Sequence, residues 1–109
     1  MAETYQVLAQ LTPTATTLTT AYTVPAATSA TVSSIVVCNT TGSDSTFRIS
    51  IQIGGASDAI QQYLYYDLPI ANNDTFIATV GLTLATTDVI AVQAANNDIS
   101  FNIFGVQIQ

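Results

Sequence analysis

Apolar and polar residues alternate with a period of two along most of this chain, and no window keeps the three-and-four spacing of a helix over the ~11 residues such an element needs. The most ordered stretch is ATVSSIVVCNTTGSDSTFRISIQIGG, residues 30–55. Its first arm ends in Ile35, Val36, Val37 and Cys38, apolar on both faces; its second sets Phe47, Ile49, Ile51 and Ile53 against Arg48, Ser50 and Gln52. Asn39 to Asp44 supply turn chemistry between them, so the pattern predicts a β-hairpin. An arm apolar on both faces needs cover on both, from a second sheet and from a partner chain or long loop.

Shorter strands flank this centre. Leu18 to Val24 alternates until Pro25. Asp58 to Leu68 sets Ile60, Gln62, Leu64, Tyr66 and Leu68 against Ala59, Gln61, Tyr63, Tyr65 and Asp67 before Pro69 is expected to break it. Thr75 to Val80, Leu82 to Leu84 and Val89 to Ala95 follow, the first two separated by Gly81. The motif Ala-Asn-Asn-Asp occurs at 71–74 and again at 95–98, in both places as a turn leading into a strand. In the last strand Ile99, Phe101 and Ile103 are odd-numbered whereas Phe104, Val106 and Ile108 are even. That change of parity predicts a β-bulge near Phe104 and Gly105, or burial of both faces there.

About seven or eight short strands joined by Pro, Gly and Asn-Asp turns describe an all-β fold, an antiparallel β-sandwich of jelly-roll-like form. Residues 17–109 are expected to make the sandwich. Residues 1–16, where Tyr5, Val7, Ala9 and Leu11 alternate before Pro13, read as an N-terminal strand or arm: an edge strand of its own domain, or an arm reaching a neighbour.

Composition narrows the function. Only 7% of the 109 residues are charged, with one Arg, no Lys and no His, for a formal net charge of −6. Such a balance argues against nucleic acid or an anionic membrane as partner, because counterion release requires clustered Lys and Arg. No apolar run approaches the ~20 residues of a membrane span, and the N-terminus lacks the pattern of a signal peptide, so cytoplasmic synthesis is expected. With 49% apolar residues and a mean hydropathy of +0.42, part of the surface is expected to be covered by other chains.

Catalysis has few resources here. There is no imidazole base and no amine nucleophile, and Cys38 in its apolar run reads as an inert buried thiol. The Asp residues stand beside turn residues, where they ordinarily cap backbone, and the two Asn-Asn-Asp turns lack the ligand density of a calcium loop. No catalytic, cofactor-binding or metal-binding residue is assigned; the chain is not expected to be an enzyme, and no cofactor is expected. Three residues are nominated for a subunit interface. Tyr63 and Tyr65, two apart on a strand, would form a flat amphipathic surface facing another subunit or their own core. Arg48, the one cation, pairs first with a carboxylate of its own fold and otherwise across a subunit boundary.

Thr20-Ala21-Tyr22-Thr23-Val24-Pro25-Ala26, Ser33-Ser34-Ile35-Val36-Val37-Cys38-Asn39, Phe47-Arg48-Ile49-Ser50-Ile51 and Tyr65-Tyr66-Asp67-Leu68-Pro69 together resemble small β-rich virion proteins of tailed bacteriophages, cyanophages in particular. The resemblance runs from about Thr17 onward. It implies a capsid cement or decoration protein, a homotrimer on the capsid exterior whose other partner is the major capsid protein. The same module could serve a tail or tail fibre, with Tyr63, Tyr65 or Tyr66 stacking on receptor sugars. A Thr-rich ice-binding sheet is a third reading, for which the chain lacks a sustained repeat.

Overall fold

The computed structural model describes residues 2–109. Nine strands form two antiparallel sheets packed face to face. They are β1 (Glu3–Leu11), β2 (Thr19–Thr23), β3 (Ser29–Asn39), β4 (Ser45–Gln52), β5 (Tyr63–Ile70), β6 (Thr75–Ala78), β7 (Leu82–Leu84), β8 (Val89–Ala94) and β9 (Ile99–Ile108). The first sheet runs β1-β9-β3-β6, with β7 also pairing β3; the second runs β2-β8-β4-β5. Only β4–β5 and β6–β7 succeed one another within a sheet; every other link crosses between sheets, which is the wiring of a jelly roll. The segment expected as strand or arm lies as β1 along β9; Met1 lies outside the described residues.

Alternation explains the core. Ile35 and Val37 of β3 and Ile99, Phe101 and Ile103 of β9 point inward from the first sheet. Phe47 and Ile49 of β4 and Ile90 and Val92 of β8 meet them from the second, all essentially inaccessible. Phe47 stands at the centre of an aromatic group, 5.4 Å from Phe76 and 6.1 Å from Phe101 between ring centroids. Burying side chains of this size stabilises by roughly 1.5–3 kcal/mol each, which makes this contact surface the main favourable term.

The expected hairpin over residues 30–55 does not form. β3 gives its two edges to β9 and to β6 and β7, and β4 gives its edges to β8 and β5, so the two arms lie in opposite sheets. Residues 40–44 are an arch across the sandwich. Asn39 makes that arch possible. Its fully buried carboxamide donates to the carbonyls of Ser43 (2.8 Å), Ile70 (3.2 Å) and Ala71 (3.2 Å). Its Oδ1 accepts from the Thr41 amide (3.0 Å) and hydroxyl (2.7 Å), so one side chain satisfies the backbone of two crossing connections. The Asp44 carboxylate accepts a further bond from the Asn72 amide, 3.0 Å.

Other expectations shift for local reasons. Pro69 does not break β5, because β5 is an edge strand and the ring replaces an N–H that no neighbour needs. Ile53 and Ile60 leave the apolar face: each starts a single-turn 3-10 helix, Ile53–Gly55 or Ile60–Gln62, and both side chains are exposed.

The bulge forecast beside Gly105 is present, but its extra residues belong to the neighbours. Leu8 is inserted in β1 and Ser33 in β3, while β9 runs unbroken between them. Side chains after Gly105 therefore do not change face. Gln107 stays inward, donating to the Tyr22 hydroxyl at 2.6 Å, and Phe104, Val106 and Ile108 are half-buried on the outer face of the first sheet. A Cβ at Gly105 would collide with the Thr31 carbonyl oxygen and lie 3.0 Å from Leu8 Cδ1.

Two substitutions test these constraints. Gly105→Ala is expected to lose about 3 kcal/mol of unfolding free energy in urea, since the added methyl meets rigid backbone. Asn39→Asp is expected to lose about 2–3 kcal/mol at pH 7, because an acceptor then faces three carbonyls. Part of that loss should return as the pH drops and the new carboxyl protonates, a recovery that Asn39→Ala should not show.

Candidate functional site

The second sheet carries the one ion pair found among the described residues. β4 and β5 pair with Ile49 opposite Tyr65 and Phe47 opposite Leu68, so Arg48 alone stands opposite two residues, Tyr66 and Asp67. Asp67 takes the extra place with a left-handed backbone, φ 53°. That bulge turns its carboxylate toward Arg48. Nε meets Oδ1 at 2.7 Å and Nη2 meets Oδ2 at 3.2 Å, a two-pronged contact. The guanidinium carbon lies 4.0 Å from the Tyr66 ring centroid, and Tyr66 in turn meets Tyr63 edge to face at 5.0 Å.

The electrostatics follow from the geometry. Hydrogen bonding to Asp67 holds the Arg48 guanidinium even more firmly protonated than usual, and the same bonds hold the Asp67 carboxyl below the ordinary carboxylate range. Burial, and then the nearby Asp58 carboxylate, push the Tyr63 hydroxyl up. Beside the pair is a shallow depression of about 290 Å³, lined by Thr16, Thr46, Arg48, Asp67 and Gln93. Phe47, Ala94 and Ala95 complete its lining, so its surface is more apolar than polar. The charge of Arg48 is already matched within the fold.

Tyr63 and Tyr65 do not share a face. A second irregularity sets Tyr65 opposite Ile49 and Tyr63 opposite Ser50, so Leu64 is the inserted residue and the two rings point to opposite sides of the sheet. Tyr65 joins the core aromatics, 5.3 Å from Phe76 and 6.2 Å from Phe47. Tyr66, expected on the opposite face, takes the place beside Tyr63 that Tyr65 was expected to fill. Strict alternation missed this, because neither inserted residue is a glycine that would announce a bulge.

The turn carboxylates act as backbone acceptors. Asp88, nearly buried, accepts from the Gly54 amide (2.8 Å) and the Ala85 amide (2.9 Å), tying the Ile53–Gly55 turn to the start of β8. Among the described residues no three His, Cys, Asp or Glu side chains come close enough to hold a metal ion. Nor, among these residues, is any helix long and apolar enough to cross a membrane.

The outer face of the first sheet is the other surface of note. Register places Glu3, Tyr5 and Val7 of β1 beside Ile108, Val106 and Phe104 of β9. Thr31 and Val36 of β3 continue the same face to Thr83 of β7 and Ile77 of β6. Tyr5 is 78% exposed, Val7 51% and Ile77 62%. Among the described residues Glu3 is the single charge on this face, and it stands at the edge.

No protein-family model matches the chain, and no curated protein matches it in sequence. A chain in the solved structure of infectious bursal disease virus, Gx strain, is similar in fold at a TM-score of 0.48 with 13% identity. The match covers 97% of the present chain and 32% of that one, so the present chain spans about a third of its neighbour's length.

Acid titration tests the ion pair. Because folding lowers the Asp67 pKa, its contribution is complete above the unfolded value near 4 and is lost as pH falls through the lower folded value. The stability difference between the native protein and Asp67→Asn should be constant above about pH 5 and shrink below about pH 4. A difference that grew on acidification would contradict this linkage.

Proposed function

We propose that this chain is a structural component of a phage virion, a cement protein that binds the outside of the capsid shell as a homotrimer and bridges neighbouring copies of the major capsid protein. It acts without cofactor or catalysis. One observation carries the reading: a whole sheet face, from Tyr5 and Val7 through Phe104 and Val106 to Val36 and Ile77, is apolar or neutral polar and bears one charge at its rim. Apolar sheet area of that extent is disfavoured on a free monomer and suited to a broad, flat contact. Each such contact need only be modest, since a protein tied to a repeating shell through several copies gains strength by avidity. The sequence resemblance to tailed-phage virion proteins supports the same reading.

A low-charge surface fits partners recognised by shape and not by electrostatic steering. The net charge of −6 opposes contact with packaged nucleic acid or with an anionic membrane, and favours a position on the outer side of the shell.

The test has two parts. Cryo-electron microscopy of the virion should place density of this fold on the outer surface of the shell at local threefold positions; density confined to the tail or its fibres would overturn the cement reading. Purified protein should bind expanded shells that lack it. Ile77→Glu, which puts a charge on the exposed face and leaves the core untouched, should weaken that binding at least about tenfold without moving the unfolding midpoint.

A further inference from the structure

We propose that β1 is a self-pairing edge: two copies of this chain join by antiparallel pairing of their β1 strands, centred on Tyr5, to make one sheet continuous across a twofold axis. The inference is independent of where the protein sits in a virion.

Main-chain hydrogen-bonding groups left along an exposed sheet edge template another strand, and folded proteins guard such edges. Three of the four edges here are guarded. β5 carries Pro69 and two bulges. β2 is 5 residues long and interrupted opposite β8. On the far side of the first sheet, β6 and β7 are 4 and 3 residues and do not form one continuous edge. β1 differs in length and composition, and its one bulge, at Leu8, leaves residues 3–7 regular. It is 9 residues long with no Pro, Gly, Lys or Arg, and it pairs with β9 alone.

The hydrogen-bond parity of β1 identifies the groups on offer. Ala2 and Gln109 exchange both amide bonds, at 3.1 and 2.9 Å. Counting along the antiparallel ladder, Thr4 and Gln6 likewise bond to β9, and the N–H and C=O of Glu3, Tyr5 and Val7 point away from it. These five residues are all exposed, and the Leu8 bulge ends the regular segment. The free backbone groups and the outward side chains thus belong to the same three residues.

A second copy of that segment is its complement. Antiparallel pairing centred on Tyr5 sets Glu3 against the partner's Val7, Tyr5 against the partner's Tyr5, and Val7 against the partner's Glu3. All three residues of each copy are used, giving about six main-chain bonds. Pairing centred on Thr4 or Gln6 leaves Val7 or Glu3 of each copy without a match in the regular segment. Odd registers set a free residue against one already bonded to β9. Charge also agrees with the central register: the two Glu3 carboxylates stand about four residues, or roughly 14 Å, apart along the pair, beyond the screening length of physiological salt. The two Tyr5 rings meet on the outer face beside Val106 of each copy, extending the uncharged surface across the axis.

Sedimentation equilibrium of the full chain is the test. The native protein should show a doubling step, monomer to dimer or trimer to hexamer, which the threefold association of the proposed function does not itself supply, and Tyr5→Pro should weaken that step at least about tenfold. The proline removes an N–H directed at the free edge and leaves the Thr4 and Gln6 bonds to β9, so the unfolding midpoint should remain close to native. Tyr5→Lys, a charge of the kind that guards natural edges, should act in the same direction. In a Cys38→Ser background, Tyr5→Cys should form a disulfide-linked dimer on mild oxidation, because the two Cα atoms would be about 5.5 Å apart. Val7→Cys should not, since its symmetry mates are four residues apart. A protein monomeric up to ~100 μM, association indifferent to both Tyr5 substitutions, or Val7→Cys linking as readily as Tyr5→Cys would each overturn the proposal.

Discussion

The Asn39 carboxamide is the contact on which the two-sheet arrangement depends. A jelly roll asks its chain to leave one sheet and enter the other at nearly every link, and each crossing exposes backbone groups with no strand neighbour. At the β3–β4 crossing most of the arch is exposed to water, but the Asn39 side chain at its base is fully buried and serves the backbone there. The amide supplies donors to three carbonyls and an acceptor to Thr41, and so holds together the arch and the β5–β6 connection beneath it. With that point fixed, Ile35 and Val37 face Phe47 and Ile49 across the core instead of lying beside them.

A chain so poor in charge must do the rest with neutral groups. Asp residues serve as acceptors at turns, Thr hydroxyls bond to nearby carbonyls, and the lone Arg is matched by a carboxylate on the adjacent strand. The long-range field that remains is net negative, so it opposes polyanions and offers no positive patch to recruit an acidic partner. What the surface has to offer is area, flatness and unpaired main chain, and all three are concentrated on the first sheet around β1 and β9.

Much of this was legible in the residues. Period-two patterning gave the all-β class, most of the strand positions and the shared faces Phe47–Ile49 and Ile99–Phe101–Ile103, while the arm apolar on both faces left Ile35 and Val37 undistinguished from Val36 and Cys38. It also located the irregularity at Gly105. What it could not resolve was partnership. Two well-patterned strands joined by a short polar turn look the same whether they pair or face each other, and the choice rests on Asn39, a polar residue whose burial no periodicity reports. Faces beyond a bulge were lost for a related reason: one inserted residue at Leu64 separates Tyr63 from Tyr65, and Tyr66, named only as a possible sugar-stacking ring, was not placed beside Arg48. The ion pair was accessible by chemistry alone, as the only cation had few other places to go.

The position of β9 between β1 and β3 bears on how the molecule reaches this state. Each pairing in the first sheet that involves β9 joins residues far apart in the chain, with Glu3 set against Ile108 and Ser29 beside that same residue. Closing such loops spends backbone entropy before any contact repays it, and topologies of this kind fold in milliseconds to seconds instead of microseconds. Until β9 arrives, β1 has no partner and β3 keeps an open side. The nascent sheet is therefore at its most adhesive while still incomplete, so crowded synthesis would favour mispairing between chains over slow closure within one.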